Sequence, residues 1–493
     1  MKRTIKCCLI VLILALWAVS SAGAEKVIRI HEDLEPKTRE ETLRMLSSAA
    51  DAYFHDAALE AELSGEISQR EVSFPFGEDE NETATLCSLT HQEQTMLFLM
   101  DRIGEPDESG RFPLYITLHG GGGGPSEGND EQWLMMYAYY RPAVENGIYV
   151  ACRGITDTWD LHFQPASYPL YDRLIQAMIY LYQADPNRVY LLGFSAGGDG
   201  VYQIAPRMAD RFAAANMSSG HPNGVSLRNL CNCPFSIQVG VRDYYSESAM
   251  RCIRGAECDQ TLNAYRDQLG YGYTHQVLVH VPEGHNFNDF SDSQAEVIAD
   301  PAAYADPGLA EDMLEAFLDA LESTVGVDAV GTLSYFPADE EAAFDQAVRR
   351  IVKEDYHLET AFVNANAVRY VSQFTREPAP ETVVWDLGTR ASSREVTSFY
   401  WLKADAAVTE GVITASLTGD NTITVHPENV NGDFSILVHP ALLDVSRPIR
   451  IVTPEGEFEV HVNPSQEIML ASMMETGDPD LAWAAEIPYS LLH

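Results

Sequence analysis

The residues best suited to chemistry lie at Gly193-Phe194-Ser195-Ala196-Gly197, a G-x-S-x-G pentad directly after the β-branched and aromatic run Val189-Tyr190-Leu191-Leu192. A serine on a sharp strand-to-helix turn is exposed for nucleophilic attack, and small flanking residues are required because a side chain there would meet the strand or the helix. Gly193 and Gly197 meet that demand. Such a pentad arises by chance in roughly one chain in six of this length, so its partners must carry the reading. The first lies upstream. The apolar segment 112–118 reads as a buried strand and runs into His119 and five consecutive glycines, Gly120 to Gly124. Backbone N–H groups without a Cβ to shield them can converge on a developing oxyanion. Ala196 and either Gly121 or Gly122 are the expected donors.

A serine nucleophile needs a base and a carboxylate to orient it. Segment 277–281 has a strand pattern and is followed by Pro282-Glu283-Gly284-His285, which places His285 on a post-strand loop as the base. His119 belongs to the glycine loop, His162 and His221 precede the expected acid, and His280 sits within a strand. Segment 235–241 is a further strand ending in Arg242-Asp243. Asp243 is therefore expected to fix the imidazole tautomer and stabilise imidazolium. Asp199, on the helix after the serine, is expected to point away. Loops 156–168 and 286–300 are the candidate substrate walls. Trp159, with His162 and Phe163, and Tyr168 offer aromatic surface, and Trp159 and Tyr168 are taken as substrate-binding.

The stretch Asp185 to Gly198, the Leu118-His119-Gly120-Gly121 block, Gly240-Val241-Arg242-Asp243 and Glu283-Gly284-His285 resemble the polyhydroxybutyrate-depolymerase-like and feruloyl-esterase-like serine esterases, relatives of the prolyl-oligopeptidase-type hydrolases. The resemblance covers about residues 95–325. It implies an α/β-hydrolase fold, a Ser-Asp-His triad in that chain order, an acyl-enzyme route to hydrolysis of carboxylic esters, and acetyl or feruloyl esters of carbohydrates as substrates. No cofactor or metal is implied. A secreted peptidase would use the same triad, but residues 25–94 are too few for the β-propeller such enzymes carry. A non-catalytic binding protein on the same scaffold would not need the complete constellation.

The elements that must hold these residues are legible in outline. Lys2, Arg3 and Lys6 precede an apolar run from Cys7 to Val19 and an Ala22-Gly23-Ala24 site, the pattern of a signal peptide over residues 1–24 and of a secreted, extracellular or periplasmic protein. Residues 25–94 are expected to supply an N-terminal helix over 36–64 and leading strands, with an acidic turn at 77–85. Strands and helices alternate over 95–325, the α/β catalytic unit with a mostly parallel sheet and flanking helices. Residues 326–380 read as a helical linker. Residues 381–493 change to short alternating strands, a small C-terminal all-β, sandwich-like domain in which Tyr400, Trp401 and Trp483 are candidate stacking residues.

Composition narrows the partners. The formal net charge is −41 over 493 residues, so nucleic acid and anionic membranes, which need a basic surface, are excluded as partners. No membrane anchor is expected, the oligomeric state is open, and the partner is a small-molecule or carbohydrate ester. Six cysteines follow the leader: Cys87, Cys152, Cys231, Cys233, Cys252 and Cys258. An even count in an exported chain predicts disulfide bonds, with no pairing specified.

Overall fold

A computed structural model of the chain describes residues 26–74, 83–243, 250–305, 307–325 and 338–493. The expected leader and most of the acidic turn lie outside the described residues. The helical pattern of 36–64 is broken into α1 (Arg39–Phe54) and α2 (Ala57–Glu66). A Thr38/Glu41 capping box starts α1, and Asp56 caps α2 by accepting from the N–H groups of Ala58 and Leu59. Each cap satisfies N–H groups that a helix start leaves orphaned.

Strand β1 (Lys26–Ile30) pairs away from the main sheet, parallel to Gly456–Val462. The main sheet contains β2 (Ile67–Ser73), β3 (Thr83–His91), β4 (Gln94–Ile103), β5 (Phe112–Leu118), β6 (Gly147–Cys152), β7 (Ala184–Phe194), β8 (Ala214–Ser218), β9 (Phe235–Gly240), β10 (His275–His280), β11 (Gln294–Ile298) and β12 (Thr360–Asn364). Its order is β12-β11-β10-β9-β8-β7-β5-β6-β4-β3-β2. From β6 across to β10 neighbours are parallel; the flanking pairs at both edges are antiparallel. The chain passes from β5 out to β6 and then returns across β5 to β7. Strands β5 and β7 thus lie side by side at a reversal of strand order, with Leu118 opposite Gly193. A crevice opens beyond the carboxyl ends of strands at such a switch point.

Period-two alternation divides the buried side chains between two faces. Leu114, Ile116, Ile148, Val150, Val189 and Leu191 face one core, which also holds apolar residues of α4 (Ser167–Tyr182), α5 (Ala196–Ile204) and α6 (Arg251–Leu269). Tyr115, Tyr149, Ala151, Tyr190 and Leu192 face the other, under α3 (Ser126–Tyr139) and the helix Ala367–Val371. Continuous apolar strands are what a sheet covered on both faces demands.

The segment expected as a helical linker does more than connect. It supplies β12, which pairs antiparallel with β11, and the helix that covers part of the second face. Strand β11 also interrupts the expected loop 286–300. Beyond it, β1 and five later strands form a six-stranded sheet, and four short strands form another. The expected strand over 398–404 is instead a tight hairpin, Ser398–Phe399 and Leu402–Ala404, turning at Tyr400 with φ 49°. Tyr400, Trp401 and Trp483 are all buried, so none is a surface stacking residue. Tyr400 donates its hydroxyl to the Ala209 carbonyl and Trp401 its indole N–H to that of Pro380.

The C-terminal strands share the first core with the main sheet. Buried ion pairs cross the same seam. Arg394 binds Asp172 at 2.7 Å and Asp210 at 2.9 Å, Arg376 binds Asp478 at 2.7 Å, and Arg211 lies 3.5 Å from both Asp172 and Asp478. Each buried charge has an opposite charge beside it, the condition under which burial is tolerated.

The expected disulfides are not formed. All six described cysteines are free and buried. Burial pushes the thiols of Cys87, Cys231, Cys233, Cys252 and Cys258 up to about 12, and that of Cys152 upward as well. They stay protonated and pack as small apolar side chains. No helix among the described residues is long and apolar enough to cross a membrane.

Candidate active site

Ser195 ends β7 and opens α5 with φ 58° and ψ −118°. A non-glycine residue rarely adopts this conformation, and such strain gathers at functional sites. Its neighbours hold it there. A Cβ on Gly193 would lie 2.3 Å from the Gly197 carbonyl oxygen, and one on Gly197 would lie 2.0 Å from that of Leu118. Only glycine permits this packing of strand, turn and helix. The Ser195 N–H donates to the Ser218 carbonyl at the end of β8.

His285 and Asp243 come from the loops after β10 and β9, which are parallel neighbours. Asp243 is 2% exposed. The His285 Nδ1–H donates to its carboxylate, 3.0 Å from Oδ2 and 3.1 Å from Oδ1. That leaves Nε2 to accept from the Ser195 hydroxyl at 3.0 Å. A buried carboxylate on Nδ1 selects the tautomer whose Nε2 is basic toward the serine. The two loops are fastened together: Arg242 N–H donates to the Glu283 carbonyl, and a Cβ on Gly240 would lie 1.9 Å from the Gly284 carbonyl oxygen. Arg251 at the start of α6 donates to Asp243 through its backbone N–H and its guanidinium. Asp199 points elsewhere, accepting from His221 N–H and the Asn223 amide.

The glycine loop bears on the choice between Gly121 and Gly122. Gly121, Gly122 and Gly123 have φ of 100°, 86° and 66°, a succession only glycine adopts without strain. The Gly122 N–H, however, donates to Asn129 Oδ1 at 2.7 Å, and that of Gly123 to the Asp157 carbonyl at 2.8 Å. Gly122 is therefore a brace and not an oxyanion donor. Gly121 and Ala196 are the remaining pair. Asn129, buried on α3, also donates to Asp157 Oδ1 at 2.9 Å, and Arg153 pairs with the same carboxylate. The Arg153 hydrogen bond, then that of Asn129, holds the Asp157 carboxyl below its usual range.

His119 and His162 act as structural clamps. The His119 Nδ1–H donates to the Gly120 carbonyl at 2.6 Å, and its Nε2 accepts from Gly154 N–H at 3.1 Å. Burial pushes its pKa down to about 3. His162, equally buried and held far below its ordinary value, donates from Nε2 to the His119 carbonyl at 2.9 Å. Both are neutral imidazoles fixing the start of the glycine loop.

The cavity at the serine measures about 440 Å³ and is lined by Gly121, Gly122, Gln132, Phe194, Ser195 and His285 among others. Trp159 is not among the residues that line it; it is 55% exposed, with its Cα 3.0 Å from where a Cβ on Gly122 would lie and its ring edge-on to Phe163. Tyr168 is buried in the core on α4. It cannot touch substrate in this cavity, because it projects from a helix whose surface is covered on nearly all sides.

Asp289 also shapes the site, and no motif marks it in the sequence. Four residues past His285 and fully buried, it accepts from the hydroxyls of Tyr139 at 2.7 Å, Tyr140 at 2.6 Å and Ser218 at 2.5 Å. Burial raises its pKa. These bonds anchor the His285 loop to α3 and to β8, whose terminal Ser218 also holds the Ser195 backbone. Asn129, Arg153 and Arg251 were equally silent in the sequence, since each acts from one element on a loop or helix beside it and no motif marks the contact. Among the described residues no cluster of His, Cys, Asp and Glu is arranged to hold a metal ion.

No family model matches the chain, and no curated protein sequence does. Solved structures with partial likeness include a thermostable esterase at 16% identity, covering 51% of this chain and 63% of that one with a TM-score of 0.29. An S-formylglutathione hydrolase from Agrobacterium tumefaciens is 14% identical, covering 44% of this chain and 91% of the other with a TM-score of 0.31. A putative dienelactone hydrolase from Klebsiella pneumoniae is 18% identical, covering 51% and 97% with a TM-score of 0.30. Likeness at this level leaves the fold to be read from the strand order and the site from its own distances.

Proposed function

We propose that the chain is a serine hydrolase of carboxylic esters. The observation that carries this reading is the hydrogen-bonded relay from Ser195 through His285 to Asp243, with 3.0 Å at each link. Ser195 Oγ attacks the ester carbonyl while His285 Nε2 takes its proton, and Asp243 stabilises the imidazolium. The carbonyl oxygen, now an oxyanion, lies against the N–H groups of Gly121 and Ala196. His285 then protonates the departing alkoxide, leaving an acyl-enzyme on Ser195. Water, deprotonated by His285, attacks the acyl carbon, and the proton returns to Ser195 as the carboxylic acid leaves. Acetyl or feruloyl esters of carbohydrates are the proposed substrates. The same reading takes the chain to be exported, with residues 1–24 removed.

Ser195→Ala is expected to lower kcat on p-nitrophenyl acetate by several powers of ten while leaving the unfolding transition in place. Unchanged turnover would overturn the assignment. Matched ester and amide substrates separate esterase from peptidase, and preference for the amide would reverse that part of the reading.

A further inference from the structure

A second cavity, of about 1030 Å³, lies between the C-terminal half of α3 and the helix Ala367–Val371. It lies along the same helix and loop as the cavity at Ser195, although the two share no lining residue. On α3, Gly128 and Gln132 line the cavity at Ser195, while Met135 and Tyr139 line the larger one. These residues are four, three and four apart and so form one stripe along the helix. The loop after His285 makes the opposite wall in the same way: Asn286 faces the first cavity, Phe290 and Asp292 the second. The Phe194 ring, 5.5 Å from the His285 ring, lies 5.7 Å from that of Tyr139, which lies 4.6 Å from that of Phe290. From Gln132 to Tyr139 the helix rises about 10 Å, more than a single acyl group or sugar ring spans.

The lining specifies what fits. Tyr139 and Phe290 offer aromatic faces to C–H groups. Beside them stands a fixed set of planar polar groups. Arg369 donates to Asp292 at 2.8 Å, and the Asn366 amide donates to the same carboxylate at 3.1 Å. A wholly apolar chain would desolvate these groups without replacing their hydrogen bonds. An anionic ligand would meet two carboxylates, Asp292 and Glu145, against one guanidinium, on a chain of net charge −41. A neutral polyhydroxylated ring satisfies both the aromatic faces and the polar edges. We propose that the larger cavity is the subsite for a neutral oligosaccharide that carries the scissile ester. This rests on the ester-hydrolase reading above and adds the place and charge class of the part of the substrate remote from the reaction.

The test uses the full chain with Arg369→Ala and Phe290→Ala. The first changes an exposed surface group, so it isolates binding from folding. Turnover of acetylated xylo-oligosaccharides is compared with that of p-nitrophenyl acetate. The ratio of kcat/KM for the glycan to that for the aryl ester is expected to fall about tenfold in each variant, through KM. Titration calorimetry of the Ser195→Ala protein with xylohexaose, cellohexaose and mannohexaose is expected to detect binding to at least one, weakened about tenfold by Arg369→Ala. The proposal is overturned if the selectivity ratio is unmoved in both variants. It is equally overturned if none of the neutral hexaoses binds, or if hexagalacturonate or a long-chain acyl ester binds in preference. Absence of any p-nitrophenyl acetate hydrolysis by the wild-type chain would instead sink the ester-hydrolase reading, and the calorimetry would still decide the subsite.

Discussion

Asn129→Asp exchanges one amide nitrogen for oxygen and places a negative charge behind the glycine loop. The retained oxygen receives the Gly122 N–H at 2.7 Å, but the amide N–H that donated to Asp157 Oδ1 at 2.9 Å is lost, so two carboxylates face each other and the loop is loosened as well as charged. Gly121, one residue back, is the donor assigned to the oxyanion, which puts the new carboxylate roughly 6 Å from the developing charge, one hydrogen bond and one residue away. Two unit charges at that separation repel by about 2.8 kcal/mol at an effective dielectric of about 20. Carried into the transition state, this corresponds to about a hundredfold loss in kcat. Asn129→Ala is the control. It removes the acceptor without adding charge and leaves the Gly122 N–H for water, so a loss of about tenfold is expected, the order of one neutral hydrogen bond. The assay is kcat for p-nitrophenyl acetate at pH 8, repeated at high ionic strength, where screening should recover part of the aspartate variant's loss. If Asn129→Asp stays within about threefold of wild type, or if alanine is the worse substitution, the loop does not hold the oxyanion through Gly121.

Asp289→Ala removes the acceptor of three hydroxyls, two of them on buried residues, and is expected to destabilise the chain by about 2–4 kcal/mol and to lower kcat on the aryl ester more than it raises KM; denaturant titration and steady-state kinetics check both, and an unaltered kcat would show that the His285 loop needs no such anchor. Arg394→Met leaves Asp172 and Asp210 without their strongest partner in a buried seam and is expected to cost about 3–5 kcal/mol, read from chemical unfolding; a cost below about 1 kcal/mol would mean that water reaches the pair. His280, neutral and stacked on Phe287 at 4.2 Å, has its pKa pushed down to about 3 by burial. Above about pH 6.5 it is neutral folded or unfolded, whereas below that the unfolded chain binds a proton the folded one refuses, so stability falls with acid. Against His280→Gln the wild type should therefore lose about 1.4 kcal/mol per pH unit between about pH 6.5 and 4, and parallel unfolding profiles for the two proteins would contradict this.

What the amino-acid sequence determined by itself was the chemistry that is written locally. The serine turn, the glycine run and the two post-strand loops were legible because a strand ending in a conformationally demanding residue needs glycine or a small neighbour within a few positions, and that need is written in the sequence. The two-faced burial of β5, β6 and β7 was legible for the same reason, as continuous apolar runs. Residues whose role depends on what lies across the fold were not. Gly122 carries the same side chain as Gly121, and only the approach of Asn129 from α3 takes its N–H away from the oxyanion. Tyr168 and Trp401 are aromatic like Trp159, yet helix and hairpin packing bury them while leaving Trp159 open. Even cysteine number suggested disulfides, but the described thiols are held apart as core packing. Strands β11 and β12 were missed because they form by antiparallel pairing with β10 and with each other at the edge of the sheet, contacts that no local pattern announces. The placement of β5 beside β7, the anchoring of His285 through Asp289 and the placing of two cavities along α3 belong to the tertiary structure alone. Each depends on contacts between segments far apart in the chain, which no local pattern of residues encodes.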